Sequence, residues 1–156
     1  MNAQQKDKKK GFTIIEVVLV LAIAGLIFLM VFIALPALQR NQRDTQRKND
    51  LSRAQTAINN YQSNNRNSLP SDWSGFASQY LRAGNDTFAD PSGENYVFDD
   101  LAVGSSVPAN FSDAQNKIYY TTSATCGNDG AAVSAGARKV ALRMKLEGGG
   151  VACVNN

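Results

Sequence analysis

Few residues in this 156-residue chain have side chains suited to chemistry, and one of them sits where charge is costly. Glu16 follows Phe12-Thr13-Ile14-Ile15 and precedes nineteen residues, Val17 to Leu35, that carry no polar side chain. A carboxylate inside an apolar helix costs on the order of 3 kcal/mol on insertion scales and is retained for a function that involves a cation. The nearest cations, Lys8, Lys9 and Lys10, lie on the other side of Gly11. Two thiols, Cys126 and Cys153, stand in the C-terminal part. Outside the cytoplasm they would pair, because oxidising compartments preserve disulfides and small domains need them; a reduced, inert pair is the alternative. Asp90, Asp99, Asp100, Asn128 and Asp129 offer oxygen ligands of the kind Ca²⁺ takes. Their spacing matches no calcium loop, and they read as solvated turn residues. The chain has no histidine, the side chain most used for proton transfer and metal ligation, which argues against an enzyme. No cofactor and no metal are expected.

The element that must position Glu16 is the apolar run itself. At about 1.5 Å per helical residue, Val17 to Leu35 spans ~28 Å, enough to cross the hydrocarbon core of a bilayer. The lysines ahead of it hold its N-terminus on the cytoplasmic side. A secretory signal peptide would show small residues at a cleavage site after the apolar core, and no A-x-A pattern follows this one. A plain membrane anchor would be the reading if Gly11 and Glu16 were absent. Gly25 and Pro36 weaken the run: Pro36 has no N–H for the Phe32 carbonyl and clashes with it, so a kink or local melting is expected.

Lys8-Lys9-Lys10-Gly11-Phe12-Thr13-Ile14-Ile15-Glu16 ahead of an apolar helix resembles the class III signal sequence of type IV pilins and pseudopilins. The resemblance implies cleavage between Gly11 and Phe12 by prepilin peptidase, a membrane-embedded aspartic peptidase that also N-methylates Phe12. It supplies the missing cation as well: the new amino group of Phe12 on a neighbour would neutralise Glu16, making it an assembly residue. Family members usually carry a glycine and a proline in this region, between which the helix can stretch in a filament, and Pro36 lies about one turn later than the proline of many pilins.

After Leu38 the chain turns polar without a loop signal, and Leu51, Ala54, Ile58 and Tyr61 recur at helical spacing, so the helix continues to about Asn65. A short helix from about Asp72 to Arg82 should face Trp73, Phe76, Tyr80 and Leu81 inward. Asp90-Pro91-Ser92-Gly93-Glu94-Asn95-Tyr96 is a turn similar to one in major pseudopilins. Lys139 to Glu147 alternates Val140, Leu142, Met144 and Leu146 with mostly polar neighbours, predicting a strand with one buried and one wet face. Gly148-Gly149-Gly150 turns it into Val151-Ala152-Cys153-Val154, and an earlier strand from Lys117 to Ser123 completes a three-stranded antiparallel sheet. A Cys126–Cys153 bridge would add about 3 kcal/mol on the chain-entropy model. The expected fold is α+β and pilin-like: a long N-terminal helix, membrane-spanning in its first half, packed on a small antiparallel head. The expected segments are a leader (1–11), a hydrophobic transmembrane and filament-core helix (12–38), its amphipathic continuation (39–66) and a globular head (67–156).

Side-chain charge is +3 over residues 1–11, +3 over 12–69 and −3 over 70–156. Arg40, Arg43, Arg47, Lys48 and Arg53 follow the span on what should be the outer side, and read either as a solvated helix face or as a contact with acidic heads of other subunits. A nucleic-acid ligand for them is disfavoured, since a filament would bury most of the cluster. The function implied is a structural subunit of a type IV pilus serving adhesion, twitching motility or DNA uptake. Its partners would be copies of itself in a helical filament, the peptidase, the membrane, and an inner-membrane assembly platform with its ATPases. Its location would be the cytoplasmic membrane as a single-pass precursor and the cell surface once assembled. The runner-up is a major pseudopilin of a type II secretion system, and a membrane-anchored calcium-binding module ranks below both.

Overall fold

The computed structural model describes residues 11–156. The lysines of the expected leader, Lys8 to Lys10, lie outside the described residues. The first element is α1, Ile14–Asn64, a 51-residue helix of about 77 Å at 1.5 Å per residue. It is helical through both Gly25 and Pro36, where local melting was an expectation. The chain divides into two compact units, Met1–Gln39 and Arg40–Asn156.

In the first unit the large apolar side chains from Phe12 to Leu38 are all at least 49% exposed. Valine and isoleucine are frequent there, and their stiff side chains favour helix only weakly. In lipid the preference is overridden, because a helix satisfies every backbone donor and acceptor within the segment.

In the second unit the helix buries Asp44, Arg47, Asp50, Leu51, Ala54, Ala57, Ile58 and Gln62. Steps of three and four put these on one face. After the helix, Asp72 caps α2 (Trp73–Phe76) by accepting the Ser74 N–H at 3.0 Å, and one wider π-helical turn, Ala77–Leu81, follows. Trp73, Phe76, Ala77 and Leu81 are buried, whereas Tyr80 is only half-buried, edge-on to Tyr61 at 5.4 Å.

Among the described residues six strands complete the fold: β1 (Val97–Asp100), β2 (Lys117–Thr122), β3 (Ala124–Cys126), β4 (Ala132–Ser134), β5 (Val140–Lys145) and β6 (Val151–Asn155). The architecture is α+β with an antiparallel-rich sheet. It differs from the three-stranded expectation by one member, since the order is β1-β2-β5-β6 and β1 runs parallel to β2. Parallel neighbours need a crossover of a dozen or more residues, and residues 101–116 supply it. The β5–β6 hairpin turns at Gly149 and Gly150, whose φ values of 101° and 79° are open to glycine. β3 and β4 form a separate two-stranded hairpin. Leu51, Ala54 and Ile58 of α1 join Trp73, Phe76, Ile118, Val140, Leu142 and Met144 in the main core.

The face of β5 expected to be wet is dry at Ala141 and Arg143 and half-exposed at Lys145. Ala141 packs with Ala124 and Ala132, and Arg143 is 1% exposed. Arg143 donates to the Ser105 carbonyl at 2.7 Å and to Thr121 Oγ1 at 2.9 Å, so the crossover and the β3–β4 hairpin cover what the polar alternation marks as surface.

The stem arginines are also reassigned. Arg47 is 1% exposed; it donates to Asp90 through Nε (2.7 Å) and Nη2 (3.2 Å), and through Nη1 to Asp44 (3.0 Å) and Glu147 (3.4 Å). Arg43 grips Glu147 at 2.8 and 2.5 Å, and Arg53 reaches Asp86 at 2.7 Å. Asp44 accepts the Glu147 and Gly148 N–H groups at 2.8 and 2.7 Å. Three of the five basic side chains thus pair within their own chain, Arg47 out of water and Arg43 and Arg53 while still partly exposed. Asp90, read from sequence as a solvated turn residue or calcium ligand, is 2% exposed because the turn it opens is folded around Arg47. Gly93 N–H donates to its carbonyl and Ser92 N–H to its carboxylate, at 2.8 and 2.9 Å.

Burial opposes ionisation of Asp90, yet Arg47 and the Ser92 N–H outweigh it and hold the carboxyl below its usual value. Arg43 does the same for Glu147 against a smaller burial penalty. Both groups therefore stabilise the fold above the unfolded carboxyl range, near pH 4, and lose that contribution as pH falls towards their depressed native values. Asp50 works in the opposite sense, since burial raises its pKa. Thermal melts of the detergent-solubilised chain should show a lower midpoint at pH 3 than at pH 6. At neutral pH, Asp90→Asn, which leaves Arg47 buried without its main anion, should cost roughly 3 kcal/mol.

Candidate functional site

The site lies where the apolar run begins. Gly11, Phe12 and Thr13 precede the first helical residue, are not helical and are exposed, so the Gly11–Phe12 bond lies in accessible backbone. A Cβ at Gly11 would meet nothing within 4 Å, so local packing does not call for glycine there.

Thr13 starts the helix. Its Oγ1 accepts the Glu16 N–H at 3.4 Å and donates to Glu16 Oε2 at 2.8 Å, and that same Oε2 accepts the Thr13 N–H at 2.8 Å. A threonine and a glutamate three residues later, each bonding the other's backbone N–H, form a capping box. Helix N-termini leave donors unmatched and carry partial positive charge, so a carboxylate in the first turn is favourable. Glu16 is therefore held by its own chain through one oxygen, while Oε1 accepts no hydrogen bond among the described residues. Sequence reasoning looked for a cation to match Glu16, found none inside the span, and missed Thr13. The signal was local: threonine, two residues, glutamate, at the head of an apolar run.

Gly25 and Pro36 are exposed interior positions of α1. A Cβ at Gly25 would also meet open space. Neither residue is required by a contact, and each lowers the helix's intrinsic stability where it sits. Cys126 of β3 and Cys153 of β6 are bonded, with Cα atoms 5.9 Å apart. The pairing expected for an oxidising compartment is thus present, beside Ala124, Ala132 and Ala141. Asp90 is committed to Arg47 and Asp99 to Lys117, and among the described residues no group of three metal-ligating side chains converges.

A family model described as the prokaryotic N-terminal methylation motif matches residues 6–32. The segment is the class III signal of type IV pilins and pseudopilins. No curated protein and no solved structure matches the chain. The pilin-type signal takes in the Gly11–Phe12 bond, the Thr13–Glu16 capping box and most of the apolar run, up to Phe32. The long apolar helix and small antiparallel-rich sheet agree with a pilin-like fold, and the helix is long and apolar enough to cross a membrane. The chain thus carries an N-terminal signal of pilin and pseudopilin type.

Replacing Thr13 with valine keeps shape and apolarity while deleting the cap. It should leave membrane insertion unchanged and weaken the first turn by about 1 kcal/mol. Amide exchange in micelles should then be about fivefold faster at Glu16 and Val17, with no change beyond Gly25.

Proposed function

We propose that this chain is a filament subunit, a type IV pilin, cut between Gly11 and Phe12 by prepilin peptidase, N-methylated on Phe12 and polymerised through α1. The observation that carries the reading is the pairing of an exposed apolar helix with a single carboxylate at its entry, one turn from an accessible glycyl bond. The apolar run is unpartnered in one copy, so lipid before assembly and other copies after it are its natural surroundings. Openness around Gly11 supports recognition by the peptidase as the reason for glycine there. Gly25 and Pro36 are assigned to local stretching of the helix on assembly.

Cleavage would create an amino group on Phe12, next to the capping box. Glu16 Oε1 is the atom available to accept from the Phe12 amino group of a neighbour, which makes the carboxylate, once enclosed by other copies, a device for registration. The role is structural rather than catalytic. The precursor would be a single-pass cytoplasmic-membrane protein served by an assembly platform and ATPases, and the product a surface filament used in adhesion, twitching or DNA uptake. A second reading, a major pseudopilin of type II secretion, is favoured by the Asp90-Pro91-Ser92-Gly93 turn and its place in the fold.

Intact-mass measurement of subunits from sheared surface filaments should give a chain beginning at N-methylated Phe12; an unprocessed Met1 terminus in assembled material would refute the cleavage. Glu16→Gln should leave processing and insertion intact while abolishing or disordering assembly. Normal filaments at normal yield from that variant, viewed by electron microscopy, would exclude charge neutralisation as Glu16's role.

A further inference from the structure

Arg82 closes the π-helical turn Ala77–Leu81, its N–H donating to the Ala77 carbonyl at 3.0 Å. That five-residue step brings both residues to one small cleft of about 160 Å³, which Trp73, Asn95, Val97 and Phe98 also line. Trp73 and Ala77 are buried, and the Trp73 ring is fixed by stacking on Tyr120 at 4.0 Å. Val97, 53% exposed, forms an open lip.

The guanidinium in this cleft is matched only in part. Nη2 donates to the Tyr96 carbonyl at 2.6 Å, while Nε is buried and has no acceptor among the described residues. Arg82 is in no ion pair among those residues, and no carboxylate lines the cleft. Asp72, beside Trp73 in the chain, is committed to the Ser74 N–H that it caps. Arg47, elsewhere in the same head, is met by three carboxylates; Arg82 is met by one neutral carbonyl. A guanidinium cannot shed its proton, and a donor left unmatched out of water is costly, so the cleft is built for an anion it does not itself supply.

We propose that the cleft binds a short carboxylate, its oxygens on Arg82 and its aliphatic stem against Trp73, Val97 and Phe98. A free short-chain acid and the Asp or Glu side chain of a second copy present the same chemistry. Phosphate fits worse, because its further oxygens would face apolar walls without donors. Tryptophan, tyrosine and arginine around one narrow pocket are also the residues that anchor protein contacts. The inference is independent of the filament reading.

Trp73 is the chain's one tryptophan, so its fluorescence reports on the cleft in the full chain in detergent. Sodium propionate at constant ionic strength should shift the emission saturably, with half-effect on the order of 10 mM, as befits so small a ligand. Propionamide should do nothing, and inorganic phosphate should be at least about tenfold weaker. Arg82→Met should weaken the response at least about tenfold, and Arg82→Lys, which keeps the charge without the fork, about fivefold. Melting curves identify which variants fold, and Arg82→Lys decides if Arg82→Met does not. The proposal is overturned by an unchanged emission of the unaltered chain, by propionamide or phosphate acting as strongly as propionate, or by a folded variant that responds as the unaltered chain does. Sedimentation of the same samples separates the two sources. Self-association reversed by propionate assigns the carboxylate to a second copy, and a monomer that binds propionate assigns it to a free acid.

Discussion

A guanidinium with almost no exposure to water holds the head to its helix. Burying an unpaired cation is prohibitive, so Arg47 can occupy its place only if carboxylates arrive from several segments at once. They come from the preceding helical turn (Asp44), the turn before β1 (Asp90) and the turn that follows β5 (Glu147), and the Phe111 ring of the crossover stacks 4.7 Å from the guanidinium carbon. Four stretches of chain are therefore fixed relative to one helical position. Asp44 extends the grip by receiving the backbone N–H groups of the β5–β6 turn, where a Cβ on Gly148 would come within 3.0 Å of its carboxylate. Such a network contributes less to net stability than to uniqueness, since its charges have no acceptable alternative partners in a mispacked head.

Two physical regimes share the one helix. Before Leu38 its side chains are chosen for a medium without water, and the only polar device is local, a capping box closed within four residues. Past Arg40 the same backbone becomes amphipathic, with Leu51, Ala54 and Ile58 in the core. Charge placement follows the division: the carboxylates of the second stretch are spent inward, and what faces outward is neutral or positive.

What could be read from sequence was what is encoded over short distances. The apolar run, the Gly11–Phe12 boundary and Glu16 lie within a few turns of one another, and β2, β5 and β6 each announce themselves by alternation or glycine. The end of α1 came out one residue from expectation. The failures were non-local. Arg47 and Asp90 are 43 positions apart, and nothing about either residue alone names the other. β1 pairs across a long crossover, and Arg143 looks like surface until that crossover is folded over it. The Thr13 cap is a different case, since its signal was local but was obscured by the search for a cation.

The bond between β3 and β6 also bears on mechanics. Asn155, in the last strand, accepts Gln55 Nε2 of α1 at 2.5 Å, and Asn156 donates to Gln62 at 2.7 Å, so the end of the chain is sewn to the helix. The stretch from Cys126 to Cys153 is closed by a covalent link. At about 3.4 Å per extended residue it represents ~90 Å of contour that tension cannot pay out. In the filament role proposed above, a subunit pulled along its helix would yield at Gly25 or Pro36, or shed the crossover. Its terminal hairpin remains a fixed-length loop, so extension and recoil are confined to the stem.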